Sequence, residues 1–234
     1  VAYYLNQLDP SERYLTTALF AEDRSNIQSW VAKSLLKASG IWGSGLDTLL
    51  SALRDIIRTH GKDRFPRLEL ESEMARRGKS LAFEEEEIEE LCDLKYGNAR
   101  TFSLLTVLFP FVDLSNHFHV DHVFPQSRFT KPKLRSAGIE EELIDGYQNK
   151  RDRLANLQLL AGLANNEKLA EMPAKWLAEF RPNEDNRRTY IEDHLLGSIP
   201  ETMDGFPQFY ESRRQLMKER IEKLLNHSRD SVSD

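Results

Sequence analysis

His117-Phe118-His119-Val120-Asp121-His122-Val123-Phe124-Pro125 decides how the rest of this chain is read. Three imidazoles and a carboxylate fall within six residues, and polar alternates with apolar as along a half-buried strand. Downstream, Asn156-Leu157-Gln158-Leu159-Leu160 reads as a second short strand. Residues 163–171 then read as a helix, with Asn165 and Lys168 at i and i+3 on one face. Two strands and a helix set among helical sequence predict a mainly α (α+β) fold, a helical platform carrying a small embedded finger.

The platform is expected over 1–110. Asp9-Pro10-Ser11-Glu12 has the order of a helix start, followed by Leu15, Ala18 and Leu19 at helical spacing. Helices follow over 26–39 and 46–60, the latter with Leu49, Leu50, Leu53, Ile56 and Ile57 on one stripe and Gly61 as its stop. A polar helix ends near Ala75, at the basic cluster Arg76-Arg77-Gly78-Lys79. An acidic helix over 83–94 carries Cys92 inward, and a buried helix over 99–109 stops at Pro110. The finger occupies 111–181, with 126–134 as loop and a helix over 139–148 inserted between its strands. The region 182–234 supplies C-terminal helices that pack on this core, the last of them through Phe209, Leu216, Ile221 and Leu224. The final residues read as disordered.

Composition narrows the classes. Over 234 residues, 40 % apolar and 30 % charged side chains fit a globular helical protein. A run of about 18 apolar residues, which a membrane span needs, is missing. One cysteine excludes an intrachain disulfide and a multi-cysteine zinc cage. A cytoplasmic setting is the expectation. Net charge is −6 but uneven: residues 117–181 hold ten Lys/Arg against nine Asp/Glu, leaving 22 against 29 elsewhere. The acidity therefore lies outside the proposed finger, which permits a local phosphate contact there. A chain that opens on Val1 reads as the C-terminal piece of a longer protein.

Hydrolysing a phosphodiester requires an activated water, a cation on the developing charge and donors that hold the phosphate. Histidine deprotonates water near neutral pH. A carboxylate with a neutral amide oxygen suits a hard divalent ion, which keeps room for water and phosphate. Expected roles follow: His122 as base, Asp121 and Asn165 as metal ligands, Lys168 on the phosphate, with Mg²⁺ or Mn²⁺ as the ion. Arg128, Lys131, Lys133, Lys150, Arg151 and Arg153 are candidate contacts to a DNA backbone. His119 and Asn166 are placed to support the ligands or touch DNA, and Asn166 is an alternative ligand to Asn165.

Asp121-His122-Val123-Phe124-Pro125-Gln126-Ser127, then Asn156 to Leu160, then Asn165 and Lys168, resemble the HNH (ββα-metal) nucleases. The nine-residue step from Asn156 to Asn165 resembles the HNH domain of Cas9-type effectors. The resemblance implies a finger gripping one metal ion, with Asn156 holding its loop so that His122 faces water, and products ending in 5′-phosphate and 3′-hydroxyl. Tyr96-Gly97-Asn98 through Phe111, with Trp176-Leu177, extend the likeness to the C-terminal HNH module of GmrSD/SspE-type restriction proteins. That likeness implies a bacterial restriction or anti-phage role, DNA as partner, and an N-terminal nucleotide-hydrolysing domain in the same full-length chain. Cutting both strands would ask for two such sites, hence an oligomer.

Two other readings compete. His117-x-His119-x-Asp121-His122 also spells the metallo-β-lactamase signature, which requires strand-rich sequence and further ligand histidines. His194 and His227 instead fall in or beside expected helices. A catalytically degenerate finger that binds DNA without cutting it is the other alternative.

Overall fold

The computed structural model describes residues 1–8, 12–37, 40–110, 118–161 and 168–226. The helix start expected at 9–11, His117, the expected ligands Asn165 and Asn166, and the tail from 227 with His227 lie outside the described residues. Helix makes up 67 % of the structure, and one antiparallel strand pair is the sheet among the described residues. The mainly α (α+β) class is therefore as expected. The chain divides into two compact units, Val1–Glu84 with the chain from Leu224, and Glu85–Lys223. Two helices that the sequence groups with the platform thus belong to the second unit.

The first unit contains α1 (Ala2–Leu8), α2 (Ala21–Leu36), α3 (Leu46–His60) and α4 (Arg67–Arg76). On α3, Leu49, Leu53 and Ile57 are buried at intervals of four, while Leu50 is 42 % exposed. The buried stripe is accordingly narrower than the five residues expected. Gly61 caps the helix, its amide donating to the Ile57 carbonyl at 2.8 Å, and glycine is required there because a Cβ would lie 2.5 Å from that oxygen. These side chains join Tyr4, Trp30, Ile41, Phe65, Leu70 and Met74 in one core. Asp23 sits buried beneath it and accepts hydrogen bonds from Tyr4 Oη (2.9 Å), Tyr14 Oη and the Phe65 backbone amide. Three donors satisfy a carboxylate that burial would otherwise penalise.

The helix expected from Glu12 does not form. Short 3₁₀ turns at Glu12–Leu15 and Ala18–Phe20 replace it, and Leu15 and Leu19 are 75 % and 82 % exposed. In these turns it is Tyr14 and Phe20 that meet, with ring centroids 5.0 Å apart.

The second unit holds α5 (Glu85–Cys92), α6 (Ala99–Leu108), β1 (Phe118–His122), α7 (Lys131–Ser136), α8 (Glu141–Arg151), β2 (Leu157–Ala161), α9 (Pro173–Phe180), α10 (Glu184–Asp193) and all but the last residues, from Leu224, of α11 (Phe206–Asn226). Asn98 caps α6, its side chain accepting from the Arg100 amide at 2.9 Å. Cys92 is buried as expected, and burial pushes its thiol up to about 11. The stretch expected as loop after Pro125 is a 3₁₀ turn, Gln126–Phe129, followed by α7. Its start signals, Thr130 with Pro132 in the first turn, are present in the sequence. Phe124 and Phe129 insert against Phe206 of α11 at 5.1 and 4.8 Å, so the loop after β1 is anchored in core.

Arg213 of α11 is fully buried. Its Nη1 donates to the Ala155 and Leu157 carbonyls at 2.9 and 2.8 Å, and Nη2 to the His194 carbonyl at 3.3 Å. Burial draws its pKa down to about 9. This guanidinium ties the entry of β2 to the end of α10. The His194 ring stacks on Tyr190 at 3.9 Å. Burial, and then the charges of Arg213, Arg181 and Arg220, push its pKa down to about 3.

His194 gives the fold an acid sensitivity. The unfolded imidazole takes up its proton near 6.5, whereas the folded one resists until about pH 3. Between those values the unfolded state binds more protons, so acidification destabilises the fold by up to about 1.4 kcal/mol per pH unit. Calorimetry from pH 7 down to pH 4 should show the transition of the second unit falling, and His194→Phe should flatten that slope. An unchanged slope would locate the acid sensitivity elsewhere.

Candidate functional site

β1 pairs antiparallel with β2 in the register Phe118↔Ala161, His119↔Leu160, Val120↔Leu159, Asp121↔Gln158 and His122↔Leu157. The two segments singled out in the sequence are therefore direct neighbours. Asp121 Oδ2 accepts from Gln158 Nε2 at 3.0 Å and from Lys168 Nζ at 2.6 Å. Lys168 donates as well to the His122 carbonyl and lies 5.9 Å from the Trp176 ring centroid. It is 1 % exposed, and desolvation lowers its pKa against the opposing pull of Asp121. Expected at an open phosphate, Lys168 is instead the internal counter-ion of Asp121. The spacing from Asn165 reveals that it is close, but not which way it turns.

Strand alternation sets His119 and Asp121 on one face and Val120 and His122 on the other. His119 is exposed and His122 is 7 % exposed. His122 Nε2 lies 2.8 Å from Asp152 Oδ1, and the Tyr96 ring leans on the imidazole at 5.0 Å. Burial lowers the His122 pKa, opposed by Asp152 and Asp121. Asp152 Oδ1 also accepts from Gln126 Nε2 at 3.1 Å, and Oδ2 from Arg151 Nε (2.9 Å) and Nη2 (2.5 Å). Burial raises the Asp152 pKa, but the hydrogen bonds from Arg151 and His122 outweigh it and hold the carboxyl below its usual range.

Asp152 is hidden in the sequence within Lys150-Arg151-Asp152-Arg153, which reads as a basic run. A lone carboxylate in such a run, just ahead of Asn156, is the signal that marks it. Its backbone is held by the turn between α5 and α6. Tyr96 N donates to the Asp152 carbonyl at 2.7 Å, Leu154 N to the Leu94 carbonyl at 2.8 Å, and Lys95 bridges Arg153 between them.

Asn156 is fully buried. Its Oδ1 accepts from the Phe124 amide at 2.9 Å, and its Nδ2 donates to the carbonyls of Phe124 (3.2 Å) and Arg151 (2.8 Å). The Val123 amide donates to its backbone carbonyl at 2.7 Å. One amide thus clasps the loop after β1 to the end of α8.

Most of the cations expected on DNA have partners within the chain. Arg128 donates twice to the Ala170 carbonyl. Lys131 pairs with Asp145, Lys150 with Glu211, Arg151 with Asp152, and Arg153 with Asp93. Lys133, exposed on α7, has no partner among the described residues. Exposed pairs of this kind contribute only about 0–1 kcal/mol, so a phosphate can compete for Lys131 or Lys150. Arg128 and Arg151 are committed to local structure.

Among the described residues, no three His, Cys, Asp or Glu side chains gather as a metal cage. What a hard cation would meet among the described residues is one carboxylate oxygen. Asp121 Oδ1 has no partner among the described residues, and its side chain is 19 % exposed while Oδ2 is held from behind. The second expected ligand, Asn165, lies outside the described residues. No protein-family model matches this chain, and no curated protein matches it either.

Proposed function

We propose that this chain is a metal-dependent DNA endonuclease or nickase of the HNH kind, the nuclease part of a bacterial restriction or anti-phage protein. On this reading it works in the cytoplasm beside a nucleotide-hydrolysing domain on the same full-length chain. One observation carries the reading. Asp121 and His122 meet residues 152–158 and Lys168 at one end of a two-stranded sheet, although these segments are far apart in sequence. No helix among the described residues is long and apolar enough to cross a membrane.

The residues divide the work. His122, neutral and aimed by Asp152, takes a proton from water. Asp121 Oδ1 and Asn165 would hold Mg²⁺ or Mn²⁺, which supplies charge for the scissile phosphate and the leaving oxygen. Asn156 fixes the loop after β1, and Lys168 with Gln158 fixes Asp121. Lys133 and Lys131 on α7 are the cations most available to a DNA backbone.

The Lys168–Asp121 pair favours a second reading, a finger that binds DNA without cutting. Supercoiled plasmid incubated with Mg²⁺, with Mn²⁺ or with chelator separates the two. The nuclease predicts open-circular product with either ion and none with chelator. Retarded but uncut plasmid under every condition would leave the inert binder.

A further inference from the structure

We propose that Asp152 is the positioning residue of His122, holding the imidazole as its Nε2–H tautomer so that Nδ1 is the atom that accepts the proton. The proposal rests on the nuclease reading and on the geometry of the His122–Asp152 pair. A carboxylate only accepts hydrogen bonds, so across 2.8 Å His122 Nε2 must bring the hydrogen. A neutral imidazole carries one ring hydrogen, which leaves Nδ1 with a lone pair.

The carboxylate is itself fixed from three directions. Arg151 holds Oδ2 through two donors, Gln126 shares Oδ1, and Tyr96 grips the backbone carbonyl while its ring lies against the imidazole. Neither partner is free to rotate away. In the step itself, a water proton passes to Nδ1 as the water oxygen bonds to phosphorus and the bond to the 3′ oxygen breaks. The leaving oxygen takes its proton from solvent, and Asp152 stabilises the imidazolium.

Asp152→Asn gives a pointed test, because Arg151 decides how the new amide sits. Its two donors demand the amide oxygen, which turns the NH₂ toward His122. Nε2 must then accept, and the ring hydrogen moves to Nδ1, the wrong atom for a base. Long-range ¹H–¹⁵N spectra of the full chain should show His122 as Nε2–H in the wild type and as Nδ1–H in Asp152→Asn. The single-turnover nicking rate should fall about 10²- to 10⁴-fold, as expected when a base is held in the wrong tautomer, with the DNA concentration at half-maximal rate unchanged. Adding Arg151→Ala frees the amide to flip back and should recover part of the rate.

An Nδ1–H signal in the wild type overturns the proposal, and that measurement needs no variant to fold. A wild-type rate in Asp152→Asn, or a loss seen only in DNA affinity, overturns it as well. A wild-type chain with the Nε2–H signal that never cuts removes the nuclease reading instead, and with it the catalytic role given to Asp152.

Discussion

On the nuclease reading, His122→Ala should cut the nicking rate roughly 10²- to 10⁴-fold, the contribution usual for a positioned general base, while the chain stays folded. The ring is held through Nε2 by Asp152, and its Nδ1 has no partner among the described residues. Burial favours the neutral form, and Asp152 directs it. Removing the ring leaves the β1–β2 register, the Asn156 clasp and the Asp121–Lys168 pair in place, since none of them uses the imidazole. What is lost structurally is the packing against the Tyr96 ring and one hydrogen bond to a charged partner, the latter about 1.5–3 kcal/mol. Mg²⁺ titrations of the residual activity should therefore keep the wild-type midpoint. Full nicking by this variant would assign proton transfer to another group, and a shifted midpoint would make His122 a ligand.

Asn156 should be the most sensitive structural position of the site, and aspartate should be worse there than alanine. Alanine orphans the Phe124 amide and two carbonyls in a fully buried place, at a cost of roughly 3–5 kcal/mol. Aspartate is nearly isosteric and still accepts from the Phe124 amide. It has nothing to donate, however, so it sets a buried negative charge against the carbonyls of Phe124 and Arg151. Amide exchange at Phe124 should quicken in both variants, and the calorimetric transition of the second unit should fall further for Asn156→Asp. Equal midpoints for aspartate and asparagine would mean that the clasp bears little of the fold.

Parts of this arrangement are legible in the sequence alone. The apolar stripe and glycine stop of α3 mark its limits, and Pro173 marks the start of α9. Alternation locates β1, whereas β2 is buried along nearly its whole length and its pairing with β1 is an expectation that the family resemblance supplies. What escapes depends on which way a charged side chain turns. Arg213 occupies a position in the buried stripe of Phe206, Phe209, Tyr210, Met217 and Ile221, yet charge alone suggests a solvated face. On the same helix the expected Leu216 and Leu224 give way to Met217 and Leu225 as the buried residues. Lys168 and Arg151 look like phosphate contacts because sequence reports a cation and not its partner. Both satisfy a carboxylate of the site, Asp121 and Asp152.

The ion pair between Lys168 and Asp121 bears on the order of events under the nuclease reading. A carboxylate whose charge is already balanced by a dry ammonium offers a bare divalent ion little attraction. A DNA phosphate docked alongside restores the missing negative charge, so ion and substrate would arrive together. On that reading, idle protein would hold no reactive centre until DNA is bound.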